Sequence, residues 1–442
     1  FYIPEFINTI LNALENAGYQ AYVVGGCVRD MILGKTPHDY DITTSANPDE
    51  IQRTFKDYKT LLVGKQFGTV VVVQGRNNTE ITTFRSEGKY LDGRRPSEVF
   101  FSDDVYDDLS RRDFTINAIA YNEKEGIIDP FNGQKDIECK TIRCVGNPKE
   151  RFTEDHLRIL RAVRLSTQLG FEIEENTYNA CKDLGDTLNG ISAERIREEL
   201  FKMLLSENPS NGIRLMKDLN ILEVIIPELV NTIDFDQKNP NHNKEVFEHI
   251  MCVLDNTPPV LSIRLAALFH DIGKPQTLTI DEKGIGHFYG HDGLSAKIAE
   301  KVLLRLNSSR ELIDKVSIMI KEHMSFHNDM KDRGIKRQIN RVGKEDIFNL
   351  LELQKADRLC SADNVDITFL FEREEEIHRI LDDNEPYKKN HLNIDGNDII
   401  DLDFKEGKIV GEILDYLLEK VMENPELNEK EKLIEIVKEK FK

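Results

Sequence analysis

The chain has 442 residues, a formal net charge of −20 and 39% hydrophobic residues. This length is too great for one compact core, so we expect several domains, and no apolar run is long enough to cross a bilayer. The acidic surplus argues against nucleic acid as a partner for the chain as a whole, but basic residues clustered between Arg85 and Arg164 form a local stripe that suits a phosphate backbone. The six cysteines are scattered without a C-x-x-C pair, which predicts free thiols in a cytoplasmic protein.

The first predicted elements lead into a glycine turn. Apolar residues at helical spacing predict a helix over residues 2–17, and the apolar run 21–24 predicts a strand. Gly25 and Gly26 follow, before a second helical segment that carries Arg29. Glycines allow a phosphate to approach the backbone closely, and Arg29 can reach the same phosphates. This stretch therefore indicates a binding site for a nucleoside triphosphate.

Two aspartates follow the second helical segment. Side chains at i and i+2 of a strand share a face, so Asp39 and Asp41 would point the same way if residues 39–42 form a strand. Two adjacent carboxylates repel each other unless a cation lies between them, and Mg²⁺ is the natural occupant. Glu80, on a predicted strand over residues 80–84, can join them as a third catalytic carboxylate or can simply face solvent; the sequence leaves both interpretations open.

The order Gly-Gly-x-x-Arg-Asp followed by Asp-x-Asp resembles the head of the class II tRNA nucleotidyltransferases and bacterial poly(A) polymerases. The resemblance implies an α+β fold with a polymerase-β-like head built on a mixed sheet with helices. It implies a nucleotidyltransferase head over residues 1–138, a helical neck over 139–220, a helical body with an HD-type domain over 221–370 and a helical tail over 371–442. The loop 86–97, rich in Arg and Gly, is similar to the flexible loop of members that add the terminal adenosine.

A second head motif contains Arg112, Asp113 and Asn117. An Arg-Arg-Asp triplet can be no more than the start of a helix with an acidic first turn. The family resemblance instead implies that these three residues bind the ribose and phosphates of the nucleotide, since their donors and acceptors suit a ribose hydroxyl pair.

Residues 151–169 have a helical pattern with Thr153 as a predicted N-cap. Asp155, Arg158 and Arg161 recur every three residues and so share one face, and the pattern alone favours an ion-pair ladder on the surface. The run Glu-Asp-x-x-Arg resembles the family's nucleotide-selecting motif. The resemblance thus implies that Asp155 and Arg158 select the base, because a carboxylate accepts from the cytosine amino group and an arginine donates to ring acceptors.

Histidines and aspartates mark a second site. His249 precedes His270-Asp271, His291 and His323 follow, and Asp357 comes last. This order resembles the HD-domain phosphohydrolases, which implies that His249, His270, Asp271 and Asp357 hold a divalent metal. Isolated histidines can equally be buried structural residues, and the sequence does not say whether this site is active or only a scaffold.

The leading interpretation is a nucleotidyltransferase that adds CCA to the 3′ end of tRNA from CTP and ATP. Mg²⁺ would bind in the head and a second divalent metal in the HD domain, with no membrane partner and the oligomeric state left open. A poly(A) polymerase or an adenosine-only enzyme of the same family is the near alternative. A metal-dependent phosphohydrolase with a nucleotide-sensing head, and a non-catalytic RNA-binding protein, are the alternatives from other classes.

Overall fold

The coordinates are a computed structural model that describes residues 1–63, 68–86, 100–326 and 330–441. The chain forms two compact units, Phe1–Ile225 and Ile226–Lys442. The finer predicted boundaries after residues 138, 220 and 370 stay predictions. The predicted loop 86–97 lies almost wholly outside the described residues. No helix among the described residues is long and apolar enough to cross a membrane.

The first unit begins with a mixed α/β region and continues as helices. Its strands are β1 (Ala21–Val24), β2 (Asp41–Thr44), β3 (Lys59–Leu62), β4 (Thr69–Gln74), β5 (Asn77–Thr83), β6 (Arg85–Ser86), β7 (Phe100–Phe101), β8 (Ala120–Asn122), β9 (Gly126–Ile128), β10 (Thr141–Ile142) and β11 (Glu172–Ile173). Its helices are α1 (Glu5–Asn16), α2 (Gly26–Ile32), α3 (Pro48–Thr54), α4 (Val105–Ser110), α5 (Gly133–Glu138), α6 (Pro148–Glu154), α7 (Leu157–Leu169), α8 (Glu175–Leu184), α9 (Ala193–Leu204), α10 (Pro209–Asp218) and α11 (Leu222–Ile225).

A seven-stranded mixed sheet in the order β3-β4-β5-β2-β1-β8-β9 forms the centre of the head. Strand β2 runs parallel to β5 and antiparallel to β1. All four residues of β1 are buried, whereas β5 alternates, with Thr79 and Ile81 buried and Glu80 on the opposite face. The predicted mixed sheet of the head is therefore confirmed.

The predicted continuous helix over residues 151–169 is wrong. The first helix starts after Asn147, whose side chain accepts from the Lys149 amide, and it ends at Glu154. Asp155 is extended, with φ −143° and ψ 103°, and α7 starts at Leu157. Because the helix breaks at Asp155, this residue does not share a continuous helical face with Arg158 and Arg161, contrary to what the three-residue spacing predicts.

The second unit is helical. Its helices are α12 (Pro227–Val230), α13 (Val246–Asp255), α14 (Leu261–Phe269), α15 (Lys274–Thr277), α16 (His291–Arg305), α17 (Arg310–Glu322), α18 (Asp332–Val342), α19 (Ile347–Ser361), α20 (Thr368–Asp382), α21 (Gly396–Ile400), α22 (Lys408–Glu423) and α23 (Lys430–Phe441), with one short hairpin, β12 (Thr279–Ile280) and β13 (Gly286–His287). Helix α14, buried at every position except Leu261, packs against α13, α17 and α19. A helix that is buried on all sides is expected at the centre of a bundle.

The expectation of six free thiols is also wrong. Cys252 on α13 and Cys360 on α19 form a disulfide, and the free cysteines are Cys27, Cys139, Cys144 and Cys181. The two paired residues are 108 positions apart in sequence, and they meet only because α13 packs against α19.

Candidate active site and metal centre

Three predicted carboxylates line one cavity in the head. Asp41 is the first residue of β2, and the parallel pairing of β2 with β5 sets it opposite Glu80. Asp39 lies just before β2, not within the strand as predicted. All three nevertheless face the same cavity of about 460 Å³, so the structure brings the predicted catalytic group together.

Burial and neighbouring charges raise the pKa of two of the three carboxylates. Desolvation raises the pKa of Asp41, Arg112 lowers it and Asp39 raises it. Desolvation, Asp41 and Asp39 all raise the pKa of Glu80. Like charges that disfavour ionisation in this way are relieved by a divalent cation, and carboxylate oxygens are the ligands that Mg²⁺ prefers. The donor set therefore fits a divalent metal.

Two guanidinium groups, those of Arg29 and Arg112, lie against the glycine turn that follows β1. Gly25 has φ +81°, which favours glycine, and a Cβ atom there would lie 3.2 Å from Nη1 of Arg112. A Cβ atom on Gly26 would lie 3.4 Å from Nη2 of Arg29. The absence of a side chain at Gly25 thus lets Arg112 approach the turn closely, and Arg112 and Arg29 are the cations that an anionic phosphate would contact.

Hydrogen bonds join this turn to helix α7. Arg29 Nη1 donates to Asn117 Oδ1 at 2.8 Å, and Asn117 Nδ2 donates to Asp113 Oδ1 at 3.3 Å. Asp113 Oδ2 in turn accepts from Nε of Arg161 at 2.8 Å. Burial opposes ionisation of Asp113, but Arg161 and Arg158 hold the pKa of this carboxyl well below its usual range. Four predicted nucleotide-binding residues therefore form one continuous polar chain.

Asp108 was not predicted as part of the site. Its buried carboxylate accepts from Arg111 Nη2 at 2.7 Å and from Arg112 Nη2 at 3.1 Å, and it fixes both arginines, of which Arg112 lowers the pKa of Asp41. Burial opposes its ionisation, but Arg112 and Arg111 lower the pKa of the Asp108 carboxyl to about 2. The sequence signal was the i,i+4 spacing of Asp108 and Arg112 on a helical segment.

The two predicted base-selecting residues lie at the junction of α6 and α7. Asp155 accepts a hydrogen bond from Nη2 of Arg195 on α9 at 2.8 Å. Arg158 donates to Glu154 Oε2 at 2.7 Å and to the backbone oxygen of Arg111 at 3.0 Å. Both side chains are thus held by protein partners, and Arg158 also contacts the segment that carries the head arginines. Their role in selecting the base stays a prediction.

The second unit contains a buried cluster of ligand residues. His249, His270, Asp271 and Asp357 each offer a ligand atom, and these atoms lie within 4.8 Å of one another. A second group, whose ligand atoms also lie within 4.8 Å of one another, consists of Asp271, His291 and His323. Asp271 therefore belongs to both groups. The sequence predicts the four residues of the first group as ligands. His291 and His323 fit the HD-like order, but the sequence does not assign them as ligands. Within the described ranges, groups of three this tight occur only here.

The imidazoles of the cluster are all oriented in the same way. Each Nδ1 lies near a backbone oxygen: His249 near Cys360 at 3.3 Å, His270 near Ala267 at 2.8 Å, His291 near Phe288 at 2.7 Å and His323 near Ile320 at 2.5 Å. A carbonyl only accepts, so in the neutral rings each Nδ1 carries the proton and each Nε2 presents a lone pair. The Nε2 atoms of His249 and His270 are 3.3 Å apart, and those of His291 and His323 are 3.4 Å apart. Facing lone pairs at this distance fit a shared metal.

A cavity of about 280 Å³ opens onto this cluster and reaches Asp271, His291 and Asp357. Phe288, Tyr289 and Phe326 provide aromatic walls, and Lys274 and Arg358 provide positive charge. Lys274 Nζ lies 2.7 Å from Asp271 Oδ2. The Nε atom of Arg358 is buried and has no hydrogen-bond partner within the described parts of the chain. This lining suits an organic phosphate.

Three families match successive parts of the chain. Residues 21–143 match the poly A polymerase head domain, residues 170–232 match the probable RNA and SrmB-binding site of polymerase A, and residues 241–362 match the HD domain. These matches fall on the head cavity, on the helices after α7 and on the buried cluster.

Relatives and solved structures agree with these matches. The CCA-adding enzyme of Staphylococcus epidermidis is 47% identical over 50% of this chain and 55% of its own length, and that of Oceanobacillus iheyensis is 48% identical over 48% and 53%. The matched segment thus spans about half the length of these curated relatives. The crystal structure of the Bacillus stearothermophilus CCA-adding enzyme in complex with CTP has a TM-score of 0.74, 27% identity and 99% coverage of both chains. The chain is therefore similar to CCA-adding enzymes, in sequence over about half of its length and in fold over nearly all of it, and it combines segments that match a poly A polymerase head domain and an HD domain.

Proposed function

We propose that this protein adds CCA to the 3′ end of tRNA, using CTP and ATP and releasing pyrophosphate. The observation that carries the proposal is the convergence of Asp39, Asp41 and Glu80 on one cavity beside a glycine turn that holds two arginines. The relatives named above, which are CCA-adding enzymes, support it. Since CTP, ATP and tRNA are substrates of the cytoplasm, we also propose a cytoplasmic location.

Each group of head residues has a distinct task in this reaction. Asp39, Asp41 and Glu80 would hold divalent metal, for which we propose Mg²⁺. Bound Mg²⁺ supplies neutralisation of the charge that develops on the attacking and leaving oxygens. Arg29 and Arg112 bind and orient the triphosphate so that its α-phosphorus faces the RNA 3′-hydroxyl in line with the departing pyrophosphate.

Base selection falls to the junction of α6 and α7. Asp155 would accept from the exocyclic amino group that cytosine and adenine share, and Arg158 would donate to the neighbouring ring nitrogen. Uracil and guanine have a carbonyl oxygen where cytosine and adenine have that amino group, so Asp155 would reject them. The protein would in this way replace a nucleic-acid template. The chain of hydrogen bonds from Arg29 to Arg161 keeps this junction in register with the triphosphate site.

An extension assay tests this proposal. A tRNA that ends at the discriminator base is incubated with CTP alone, ATP alone or both, and the products are sequenced. We expect two cytidines with CTP and a completed CCA end with both nucleotides. Incorporation of ATP without CTP would contradict the proposal and favour a poly(A) polymerase or an adenosine-only enzyme.

We propose phosphate-ester hydrolysis as a second activity, because a cavity with cationic and aromatic walls opens directly onto the buried ligand cluster. The six ligands would hold up to two divalent metal ions, with Asp271 shared. A bound divalent ion supplies a nucleophilic hydroxide at neutral pH, while Lys274 and Arg358 bind the phosphate oxygens. Hydrolysis of p-nitrophenyl phosphate and of its diester, measured with Mn²⁺ and after chelation, tests this. An equal rate after chelation, or no turnover with any divalent metal, would contradict it.

A further inference from the structure

Neither proposed activity uses the covalent link in the second unit. The disulfide between Cys252 and Cys360 joins α13 to α19, with Cα atoms 5.8 Å apart. Cys360 is buried, whereas Cys252 is half-buried. Asn256 Nδ2 lies 3.7 Å from both sulfur atoms. Cys252 is therefore the more exposed partner of the disulfide.

The disulfide lies one helical turn from two predicted metal ligands. Cys252 follows His249 by three residues on α13, and Cys360 follows Asp357 by three residues on α19. Three residues advance a helix by about 4.5 Å and return nearly to the same face. The contact between His249 Nε2 and Asp357 Oδ1, at 2.8 Å, thus sits directly beside the covalent link. The backbone oxygen of Cys360 also contacts Nδ1 of His249 at 3.3 Å.

The link affects only one of the two ligand groups directly. His249 and Asp357 belong to the first group and lie on the two joined helices. The second group consists of Asp271 after α14, His291 at the start of α16 and His323 at the end of α17. Neither joined helix contributes a ligand to that group. A change at the disulfide should therefore act unequally on the two metal positions.

We propose that Cys252–Cys360 is a reversible thiol–disulfide site that sets the metal affinity of the ligand group formed by His249, His270, Asp271 and Asp357. The proposal rests on the metal centre proposed above. When the disulfide is reduced, the two sulfur atoms are no longer bonded and must move apart, and α13 and α19 move with them. Metal–ligand distances tolerate deviations of only about 0.2 Å, so this separation weakens binding at the first position.

The reaction partner is a low-molecular-weight thiol. Its thiolate attacks the sulfur of Cys252, forms a mixed disulfide and displaces Cys360 as a thiolate, which takes up a proton. A second molecule of thiol then attacks the mixed disulfide, releasing Cys252 as a thiol and the small molecule as its own disulfide. The reverse sequence, in which that small disulfide is the oxidant, restores the bond. Disulfides that form in the cytoplasm are usually of this reversible kind.

The test measures metal and thiols in the same samples of full-length protein. Purified protein is equilibrated with mixtures of reduced and oxidised glutathione, quenched, and dialysed against graded free Mn²⁺. Bound Mn²⁺ is measured by mass spectrometry, and free thiols are counted after denaturation. We expect four free thiols and two tight Mn²⁺ sites in the oxidised protein, then six thiols and about tenfold weaker binding at one site in the reduced protein.

Two variants control the test. Cys252→Ser should show the weakened site at every glutathione ratio, and the exposed free Cys139→Ser should behave like the parent protein. If Cys252→Ser does not fold, reduction of the parent protein gives the same information. Six thiols at all ratios, or equal Mn²⁺ affinity in both redox states, would overturn the proposal. Transfer to tRNA is assayed in parallel, so a protein that shows redox-dependent Mn²⁺ binding without transfer would refute CCA addition and support this proposal.

Discussion

The head cavity and the buried cluster keep charged groups together in opposite ways. In the head, Asp39 and Asp41 are reached by solvent, and the positive charge of Arg112 acts on Asp41. In the second unit, all six ligand residues are at least nine-tenths buried, and backbone oxygens fix every imidazole. The cluster already holds the ligand groups of the proposed metal site close together, whereas the proposed head site would be completed only by a cation and a substrate. Open sites suit groups that enter and leave at each turnover, and closed sites suit a resident ion.

If the head depends on an incoming metal, removing its carboxylates should abolish transfer and leave the fold intact. For Asp39→Ala combined with Asp41→Ala we expect a loss of transfer of at least about 10³-fold, comparable to removing a group that acts on the transition state. The melting temperature should stay the same or rise, because the two acids repel each other. Mn²⁺ binding by the second unit should not change.

The exposed Asp57→Ala is the matched control for this double variant and should retain full transfer. Transfer that survives the loss of both carboxylates would contradict the proposed metal site in the head.

The reciprocal experiment removes the shared ligand of the buried cluster. Asp271→Asn keeps the shape of the side chain but removes its charge, so we expect Mn²⁺ affinity to fall at least about 100-fold at both positions. Addition of CCA to tRNA should be unchanged, since Asp271 lies in the second unit. Metal content after dialysis is the measurement. Unaltered binding, or a loss equal to that of the exposed Asp314→Asn control, would refute the shared role of Asp271.

The next prediction concerns the stability that the buried ion pairs of Asp108 give to the head. Asp108→Asn removes the partner of Arg111 and Arg112, and breaking such a buried pair costs about 3 kcal/mol in the free energy of unfolding. The pKa of Asp108 is about 2 in the folded protein, below its unfolded value. Its contribution is therefore fully present above the unfolded pKa, near pH 4, and disappears as the pH falls through about 2.

Urea unfolding at pH 7 and at pH 3 measures this difference between parent and variant. The gap should shrink at the lower pH. The neighbouring exposed Asp107→Asn should change stability by less than about 0.5 kcal/mol. An equal effect of the two substitutions would contradict the buried role of Asp108.

The hydrogen bond from Arg195 to Asp155 allows the proposed base selection to be tested. Arg195→Lys keeps the positive charge but loses the planar group that donates to Asp155. We expect kcat/KM for CTP to fall about tenfold and misincorporation of UTP to increase, because a charged hydrogen bond to the selecting carboxylate is weakened. Lys202→Ala, an exposed change on the same helix, is the control. A change in KM for tRNA alone would argue against this role.

The smallest expected effect concerns pH. The pKa values of Asp41 and Glu80 are raised, so protons compete with Mg²⁺ for these carboxylates at a higher pH than for ordinary acids. Transfer at limiting Mg²⁺ should therefore decline as the pH falls, and excess Mg²⁺ should restore it. If one proton is displaced, the midpoint moves by about one pH unit for each tenfold increase in Mg²⁺. A midpoint that does not depend on Mg²⁺ would contradict metal binding by these two residues.

Local motifs were readable from the sequence because the residues that act together are close in the chain. Gly25, Gly26 and Arg29 fall within five positions, and the structure gathers them at one turn. The sequence does not decide whether Glu80 joins the two aspartates, because this depends on the pairing of β5 with β2. These two strands are more than thirty residues apart in the chain. No local pattern encodes that register.

Features held by tertiary contacts were missed for the same reason. The spacing of polar residues continued across Asp155, but Arg195, forty residues away, holds that carboxylate where the helix breaks. The pairing of Cys252 with Cys360 cannot be deduced from cysteine spacing. His291 and His323 could be recognised as candidate ligands only because α16 and α17 bring them to Asp271.

The polar chain from Arg29 through Asn117 and Asp113 to Arg161 has an evolutionary consequence. Each member satisfies the next, so replacing one leaves a buried donor or acceptor unsatisfied on either side. A substitution at Arg29 must therefore be matched by compensating changes further along this chain of hydrogen bonds, toward Arg161 on α7. Lineages that replaced Arg161 would carry linked substitutions at Asp113 and Asn117, a covariation that a collection of homologous sequences would reveal.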